Sequence, residues 1–263
     1  MDLALGGRRA LVTGSTAGIG LAIARALAGL GAEVAVNGRT RERVDEAIAA
    51  LRRAVPDGRF SAAPGDVGAE SGAAQVIEAA PELDILVNSA GIFEPKPFFD
   101  ISDEEWRRFF EVNVLSGVRL ARHHAARMAE RGWGRVVFIS SESALQIPVE
   151  MVHYGMTKTA QLAVSRGLAE TVAGTGVTVN AVLPGPTLSE GVAEFLGKMG
   201  GASGDLEAAG RAFVKEHRPT SLIGRLASPD EVASLVAYLC TPAASATTGA
   251  ALRVDGGVVR SIV

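Results

Sequence analysis

Apolar residues follow two alternating patterns along this chain: short unbroken runs, and longer stretches in which they return at helical spacing. The short runs are rich in β-branched residues and apolar on both faces, which is typical of strands buried inside a parallel sheet. The longer stretches predict amphipathic helices packed on that sheet. We predict strands at residues 9–13, 33–37, 59–62, 84–87, 136–139, 177–183 and 251–254, and helices at 21–30, 41–54, 102–131, 149–172 and from 228 onwards.

Strands and helices alternate over the whole length, with no linker and no internal repeat. That order is expected for one α/β domain, residues 1–263, built on a doubly wound parallel sheet with helices on both faces. Residues 188–222 differ, because they form a mixed, glycine-containing segment that is longer than an ordinary connection. We predict that this segment forms a helical lid over a site.

Composition and charge narrow the class of protein. The chain has 263 residues, of which 48% are hydrophobic and 21% charged, and its mean hydropathy of +0.23 suits a sheet covered by helices. The net charge is −3 without a basic block, which argues against a nucleic-acid partner. No apolar run is long enough to span a membrane, and the N-terminus leaves no room for a signal peptide before the first strand. We therefore expect a cytoplasmic protein without a membrane partner.

Cysteine and histidine usage points away from disulfide and metal chemistry. The single Cys240 excludes an intramolecular disulfide, fits a reducing cytoplasm and is expected to be a buried, inert thiol. The four histidines form no pair at metal-ligand spacing, so we expect no metal site. His123 and His124 point different ways on one predicted helix and are expected at the surface or an interface.

A candidate for acid–base chemistry lies between Ser141 and Lys158. Ser141 follows a buried strand, and Tyr154 and Lys158, four residues apart on the next helix, share one face. An ammonium about 4 Å from the phenol would favour the phenolate by roughly 4 kcal/mol, or about three pKa units, at an effective dielectric near 20. That would bring Tyr154 toward working pH, with Ser141 able to bond the same reacting oxygen. The alternative is a core tyrosine beside a solvated lysine, and the rest of the chain decides between them.

A glycine-rich turn follows the first strand and opens the first helix. Gly14, Gly18 and Gly20 form G-x-x-x-G-x-G, a relative of the dinucleotide fingerprint. Glycine lets the backbone turn tightly and approach a ligand, while the helix N-terminus offers amides and a positive dipole end to a pyrophosphate. The alternative is a plain tight turn.

The end of the second strand bears on the choice of cofactor. An acidic residue there would bind the ribose 2′-hydroxyl of NAD, whereas an arginine accommodates the 2′-phosphate of NADP. The chain has Asn37-Gly38-Arg39-Thr40 at this point and no carboxylate. Arg39 is therefore a candidate phosphate ligand, with Asn37 and Thr40 as possible helpers, and NADP(H) is favoured over NAD(H). A solvated arginine is the alternative.

Three further polar positions follow strands or interrupt a helix. Asp66, just past the third strand, could accept from an adenine amino group or cap the next helix. Residues 88–91 (NSAG) are small enough for a loop that runs under a cofactor. Asn113, a poor helix former inside a predicted helix, suggests a structural distortion or a water relay.

These motifs together resemble the single-domain branch of the short-chain dehydrogenase/reductase family, in the manner of 3-oxoacyl reductases. The resemblance covers essentially the whole chain and implies a Rossmann-type sheet, a nicotinamide cofactor and interconversion of carbonyl and alcohol. It is carried in order by TGSTAGIG (13–20), Asp66, NSAG (88–91), Asn113, Ser141, Tyr154, Lys158, PG (184–185) and DGG (255–257).

The resemblance also implies residue roles. Tyr154 would donate the proton in reduction, Ser141 would hold the substrate oxygen, Lys158 would lower the tyrosine pKa and bind the nicotinamide ribose, and Asn113 would position a relay water. Substrate binding is expected from Ser141, Ser143 and Tyr154. Family members are commonly tetramers built on two long helices, here those that carry Asn113 and Tyr154. The implied cofactor contacts are Gly14, Ser15, Thr16, Gly18, Ile19, Gly20, Arg39, Asp66, Val67, Asn88, Ala90, Gly91, Tyr154, Lys158, Pro184, Gly185, Thr187 and Ser189.

The leading hypothesis is an NADPH-dependent reductase of a 3-oxoacyl thioester or a small apolar ketone. A dehydrogenase that oxidises a secondary alcohol or sugar with NAD is the alternative within the fold, and a non-catalytic dinucleotide sensor or scaffold is the alternative of another class. Glu94 and Glu150 could exclude anionic substrates or face water. The predicted apolar pocket wall comprises Ile92, Phe93, Leu145, Val149 and Leu188.

Overall fold

The computed structural model describes residues 2–192 and 205–262. Its strands are β1 Arg9–Val12, β2 Glu33–Gly38, β3 Arg59–Pro64, β4 Ile85–Asn88, β5 Gly134–Ile139, β6 Val177–Pro184 and β7 Ala251–Val254. They form one parallel sheet in the order β3-β2-β1-β4-β5-β6-β7. The chain runs from β1 to one edge, crosses back to β4 and continues to the other edge, which confirms the predicted doubly wound, Rossmann-type sheet.

Helices cover both faces of this sheet. Among the described residues the α-helices are α1 Gly18–Gly29, α2 Arg41–Ala54, α3 Glu70–Ala79, α4 Asp103–Phe110, α5 Ser116–Glu130, α6 Val152–Thr171, α7 Leu206–His217 and α8 Pro229–Cys240. The helices α1, α2 and α8 pack into one apolar cluster. The helices α3, α5 and α6 contribute to a second cluster on the opposite face. No helix in 2–192 or 205–262 combines the length and apolar content needed to cross a membrane.

The unbroken apolar runs are explained by these two clusters. In β1, Ala10 and Val12 belong to one cluster, whereas Leu11 between them belongs to the other. Successive strand residues point to opposite faces, so a strand covered on both sides is expected to be apolar at most positions. All six residues of β5 are buried, including Arg135, whose guanidinium donates to the carbonyls of Gly134, Gly176 and Thr241.

Two helices begin at the residues that the sequence marks. Ser102 caps α4 and Ser228 caps α8, and in each case the glutamate three residues later bonds back to the serine in a capping box. Each box satisfies backbone amides that the first turn of a helix leaves without partners.

The predicted helix at 102–131 is interrupted in the middle. A π-helical turn, Glu111–Leu115, separates α4 from α5, and the amide of Ser116 donates to the carbonyl of Glu111. Such turns contain one residue more than an α-helical turn and are frequent at functional sites. The distortion predicted from Asn113 is therefore confirmed, and the turn directs this side chain into the protein, where it is 1% exposed.

Burial corrects one prediction and confirms another. His124 is only 1% exposed, so the prediction that it lies at the surface is wrong. It shares its helix face with Ala121, Ala125 and Met128, all buried at helical spacing. Burial lowers the pKa of His124 to about 3. Cys240 is buried as predicted, and burial raises the pKa of its thiol to about 12.

Candidate active site

A cavity of about 620 Å³ opens beyond the carboxyl ends of β1, β4, β5 and β6. This edge is where open parallel sheets bind ligands. The cavity brings together a large part of the predicted site: Ser141, Ser143, Tyr154 and Lys158, with Gly14, Gly18, Ile19, Gly20, Gly91, Pro184, Gly185, Thr187 and Ser189. The other predicted cofactor contacts are not among its lining residues: Ser15, Thr16, Arg39, Asp66, Val67, Asn88 and Ala90.

The glycine-rich turn has the backbone shape that the sequence predicts. Gly14 and Gly18 have φ angles of +62° and +55°, a region that other residues rarely adopt. A Cβ at Gly20 would lie 2.4 Å from the carbonyl oxygen of Gly14. The helix α1 begins at Gly18, and Ala17 before it provides no side-chain cap. The first amides of α1 thus remain without a side-chain acceptor, and the turn fits a dinucleotide pyrophosphate.

Asn37 does not assist a phosphate, and that prediction is wrong. Its Oδ1 accepts from the amide of Gly14 at 3.1 Å, and its Nδ2 donates to two backbone carbonyls at and just past the end of β3. Ser15 is likewise used internally, since its Oγ donates to the carbonyl of Val12 and accepts from the amide of Asn37. These bonds fasten the glycine turn to β2 and β3. They leave no free polar atom on the Asn37 amide.

Arg39 and Thr40 lie at the surface, just past β2. No ion pair or hydrogen bond joins the Arg39 side chain to another residue in the described part of the chain. The Oγ1 of Thr40 caps α2 by accepting from the amide of Arg43 at 3.4 Å. Thr16 packs against Gly38, so the glycine turn and the Arg39 segment are neighbours. The assignment of Arg39 to a 2′-phosphate stays a prediction.

The loops after β3 and β4 lie on either side of the glycine turn. Asp66 is exposed, and its Oδ1 accepts from the amide of Gly68 at 3.0 Å. Because the N-cap of α3 is Ala69, Asp66 closes a turn and does not cap the helix. Asn88 is buried against Gly117 of α5, and neither side-chain amide atom has a hydrogen-bond partner among residues 2–192 and 205–262. The cofactor contacts assigned to both residues stay predictions.

Asn113 holds the loop after β4 against α6. Its Oδ1 accepts from the amide of Ile92 at 2.8 Å, and its Nδ2 donates to the carbonyl of Ile92 and to Thr157 Oγ1, each at 3.0 Å. Thr157 in turn donates to the carbonyl of Tyr154 at 2.7 Å. The π-helical turn therefore positions the helix that carries the phenol. The role of Asn113 toward a relay water stays a prediction.

Lys158 is buried and bonded away from the phenol. Its Nζ donates to the carbonyl of Ile139 at 2.9 Å and to Oε1 of Gln161 at 3.3 Å. Gln161 then donates to the carbonyl of Asn113 at 2.6 Å, which links Lys158 to the π-helical turn. Sequence reasoning missed Gln161. The sequence could have indicated it, because Gln161 is a polar residue about one helical turn beyond Lys158, on the same face of α6.

The pKa of Tyr154 is raised, not lowered as predicted. Burial raises the pKa of Tyr154, and the neighbouring Glu142 carboxylate raises it further. The hydrogen bond with Ser141 and the charge of Arg218 act in the opposite direction. Burial also lowers the pKa of Lys158 to about 8. The prediction was wrong because it counted the attraction of an ammonium and left out the loss of water around both groups.

A buried ion pair next to Ser141 was not predicted. Ser141 Oγ donates to Glu142 Oε2 at 2.5 Å, and Glu142 Oε1 accepts from Nε of Arg218 at 3.0 Å. Arg218 also contacts Glu150 at 3.4 Å, and all of these side chains line the cavity. The sequence shows a carboxylate, Glu142, directly after Ser141. It does not show that Glu142 pairs with Arg218, which lies 76 positions away.

The apolar wall of the cavity was predicted only in part. Ile92 and Phe93 line it, but Leu145, Val149 and Leu188 do not. Leu145 and Val149 are exposed instead, at 47% and 84%. Apolar character alone did not reveal which way these loop side chains point. Further apolar lining comes from Pro95, Met151, Val192 and Phe213.

Of the two glutamates considered for charge selection, only Glu150 lines the cavity. Glu94 pairs with Arg108 at 2.9 Å outside the cavity, and its side chain is 55% exposed. Described parts of the predicted lid, 189–192 and 213–218, contribute to the wall. Residues 193–204 of that segment lie outside the described residues. No group of three His, Cys, Asp or Glu side chains in 2–192 or 205–262 could hold a metal ion.

A doubly wound sheet with a glycine turn, and with serine, tyrosine and lysine in one cavity, defines an oxidoreductase that uses a nicotinamide dinucleotide. Comparison with known proteins agrees. A family model described as enoyl-(acyl carrier protein) reductase matches residues 14–259. The chain belongs to the short-chain dehydrogenase/reductase family.

Individual relatives cover the whole chain. It is 51% identical to the uncharacterized oxidoreductase YvaG of Bacillus subtilis, over 100% of both chains. It is 33% identical to the 3-oxoacyl-[acyl-carrier-protein] reductase FabG of Aquifex aeolicus, over 98% of this chain and 100% of the relative. A crystal structure of L-sorbose reductase from Gluconobacter frateurii, complexed with NADPH and L-sorbose, matches with a TM-score of 0.92 and 32% identity over 100% of both chains.

Proposed function

We propose that this protein reduces a ketone to a secondary alcohol with NADPH. The observation that carries the proposal is the convergence of Ser141, Tyr154 and Lys158 on one cavity, next to a glycine turn suited to a pyrophosphate. When bound, the cofactor supplies the hydride. Tyr154, which lines the cavity beside Ser141, donates its proton to the substrate oxygen as a general acid.

The other site residues support this step in different ways. Ser141, which lines the cavity with Tyr154, holds the reacting oxygen. Lys158 binds the nicotinamide ribose and, through Gln161 and the carbonyl of Asn113, connects the site to the π-helical turn. The amides at the start of α1 bind the pyrophosphate. The loops of residues 88–91 and 184–189 enclose the nicotinamide end.

The preference for NADPH rests on Arg39. Its guanidinium is exposed beside the glycine turn and has no partner in the described part of the chain, so it is available to a 2′-phosphate. The absence of a carboxylate at the end of β2 agrees with this preference. Support also comes from the NADPH in the L-sorbose reductase structure.

The substrate is proposed to be a 3-oxoacyl thioester or a small carbonyl compound. The apolar wall formed by Ile92, Phe93, Met151 and Phe213 supports a small or aliphatic ketone. The likeness to the Aquifex reductase supports a thioester. The described ends of the predicted lid, residues 188–192 and 205–222, would close over the substrate.

The experiment that tests the proposal begins with titration of the purified protein with NADPH and NADH at fixed salt. NADPH is expected to bind at least tenfold tighter, which corresponds to about 1.4 kcal/mol. Ketones and 3-oxoacyl thioesters are then supplied with NADPH, and oxidation of the cofactor is followed. Tight binding of a cofactor without turnover of any carbonyl or alcohol would favour a dinucleotide sensor.

A second candidate is an NAD-dependent dehydrogenase of a secondary alcohol or sugar. One observation favours it: Ser141 directs its hydrogen to Glu142 and accepts from the amide of Ser143, which leaves one lone pair of its oxygen to accept from an alcohol. Tighter binding of NADH than of NADPH, followed by oxidation of secondary alcohols with NAD, would select this candidate.

Assembly and location are also part of the proposal. We propose a cytoplasmic homotetramer formed through the helices that carry Asn113 and Tyr154, as the family resemblance implies. Light scattering of the purified protein measures its mass, for which a value near four chains is expected. A monomer at micromolar concentration would contradict it.

A further inference from the structure

Glu142 is a buried carboxylate directly beside the catalytic serine. The residue is 4% exposed, yet it lines the cavity together with Ser141 and Tyr154. Ser141 Oγ donates to its Oε2, and Arg218 Nε donates to its Oε1 at 3.0 Å. A carboxylate accepts at about four positions. Only these two side-chain donors reach it within residues 2–192 and 205–262.

A buried carboxylate is costly when its acceptor positions stay unfilled. Within residues 2–192 and 205–262, the one cation that Glu142 contacts is Arg218, which also contacts Glu150 at 3.4 Å. The remaining wall near the phenol is largely apolar and includes Phe93 and Met151. A substrate that carries a hydroxyl group into this corner would supply the missing donor.

The ion pair also occupies the only hydrogen of Ser141. The Oγ of Ser141 donates to Glu142 and accepts from the amide of Ser143 at 3.1 Å. A ketone oxygen needs a donor, because it carries no hydrogen of its own. Ser141 therefore cannot bond a ketone oxygen as a donor until another group takes its place on Glu142.

We propose that Glu142 selects ketones with a hydroxyl group on the carbon next to the carbonyl. The substrate hydroxyl replaces Ser141 as the donor to Glu142, and the released Ser141 hydrogen turns to the ketone oxygen. No proton is transferred in this exchange, since only hydrogen-bond partners change. The inference rests on the proposed ketone reduction and names its substrate class.

The spacing of the two protein oxygens fits such a substrate. Ser141 Oγ and Glu142 Oε2 are 2.5 Å apart. The carbonyl and hydroxyl oxygens on adjacent carbons can approach to about 2.7 Å, the separation of two oxygens that share a hydrogen bond. Once they no longer share a hydrogen, Ser141 Oγ and Glu142 Oε2 move apart to an ordinary non-bonded separation, which oxygens on adjacent carbons can still bridge.

The test is a two-by-two comparison of enzymes and substrates. Wild type and Glu142→Gln are assayed with NADPH on butan-2-one and on 1-hydroxybutan-2-one, and kcat and KM are measured for each pair. The hydroxyl also changes the intrinsic reactivity of the ketone. The informative quantity is therefore the preference of wild type for the hydroxyketone over butan-2-one, divided by the same preference of Glu142→Gln. Glu142→Gln is expected to lower the preference for the hydroxyketone at least tenfold, which corresponds to about 1.4 kcal/mol. Turnover of butan-2-one is expected to be equal or higher.

Two controls separate recognition from general damage. Glu150→Gln removes the other carboxylate on Arg218 but no bond to Ser141, and it is expected to keep the wild-type preference. The substrate 4-hydroxybutan-2-one carries its hydroxyl one carbon further from the carbonyl. Its turnover relative to butan-2-one is expected to be the same in wild type and in Glu142→Gln. Melting temperature and NADPH affinity show that each variant is folded.

An equal loss on both ketones in Glu142→Gln would overturn the proposal, because Glu142 would then only hold Ser141. Failure of the proposed function gives a different result, namely no NADPH oxidation with either ketone in wild type. In that case binding of the two ketones to the protein with NADP⁺ is measured by calorimetry. Tighter binding of the hydroxyketone that Glu142→Gln abolishes would support the proposal, and equal binding would overturn it.

Discussion

The ammonium of Lys158 lies over the ring of Tyr154, with Nζ 5.5 Å from the ring centre, while it donates its hydrogen bonds to Ile139 and Gln161. The cation therefore contacts the face of the phenol, and no hydrogen bond joins it to the hydroxyl in the described structure. Burial raises the pKa of Tyr154. A phenol is protonated at neutral pH even at its ordinary pKa of about 10, so the group is present in the form that can donate a proton.

Replacement of Tyr154 by phenylalanine removes the proposed proton donor and keeps the ring. We expect kcat for ketone reduction to fall by about 10²–10⁴, the usual contribution of a general acid. Affinity for NADPH is expected to be retained, since the phenyl ring still fills its place beside Phe93. Steady-state kinetics and fluorescence titration measure the two effects. Retained turnover in Tyr154→Phe would show that Tyr154 is not the proton donor.

Replacement of Arg39 by alanine tests the cofactor preference. Binding of NADPH is expected to weaken at least tenfold, or about 1.4 kcal/mol, whereas binding of NADH changes little, because only NADPH carries the 2′-phosphate. Arg41→Ala is a matched control, since Arg41 is also exposed but is paired with Asp45 at 2.8 Å. An equal loss of affinity for NADPH and NADH in Arg39→Ala would show that Arg39 does not bind the 2′-phosphate.

Replacement of Asn113 by leucine tests the bonds of the π-helical turn. It leaves the amide and carbonyl of Ile92 without their partner, at a cost of at most about 1–3 kcal/mol for each of these part-buried groups. We expect a lower free energy of unfolding in urea and a lower kcat. Thr157→Val, which removes one acceptor of Asn113, is expected to have a smaller effect of the same kind. Unchanged stability of Asn113→Leu would contradict this account of the turn.

His124 makes the protein sensitive to acid. Its pKa is lowered to about 3 in the folded chain, first by burial and then by the charge of His123, whereas the ordinary value is 6.5. Between these values the unfolded chain binds a proton that the folded chain does not. Stability is therefore present above pH 6.5 and decreases as the pH falls, by up to about 1.4 kcal/mol for each pH unit.

His124→Leu should remove this contribution. Neither ring nitrogen of His124 has a hydrogen-bond partner in the described structure, so leucine sacrifices no bond at neutral pH. Urea unfolding of both proteins at pH 7.5, 5.5 and 4.5 measures the difference. We expect the variant to lose less stability toward low pH. If the free energy of unfolding decreases equally with falling pH in both proteins, His124 is not the cause of the acid sensitivity.

The sequence predicted those features that depend on neighbours along the chain. Most of the seven strands followed from short apolar runs, the glycine turn from three residues at one strand end, and the shared face of Tyr154 and Lys158 from their spacing. His124 could also have been placed correctly, since Leu120, Ala121, Ala125 and Met128 repeat on the same helix face.

Other features depend on residues that only the fold brings together. Nothing near Arg218 indicates that it pairs with Glu142 across 76 positions. Nothing near Asn37 indicates that its amide bonds β3 and the glycine turn. The pKa of Tyr154 was misjudged for the same reason, since burial is a property of the packed protein and outweighed the charge that the sequence displayed.

The π-helical turn Glu111–Leu115 amounts to a one-residue insertion in an otherwise regular helix. Deletion of Val112 would let α4 and α5 join as one α-helix, with the buried faces of both still directed at their partners. Asn113 would then lose its place opposite Ile92 and Thr157. The shorter chain would lose the same bonds as Asn113→Leu, so we expect it to fold with a lower free energy of unfolding and without an assembled site.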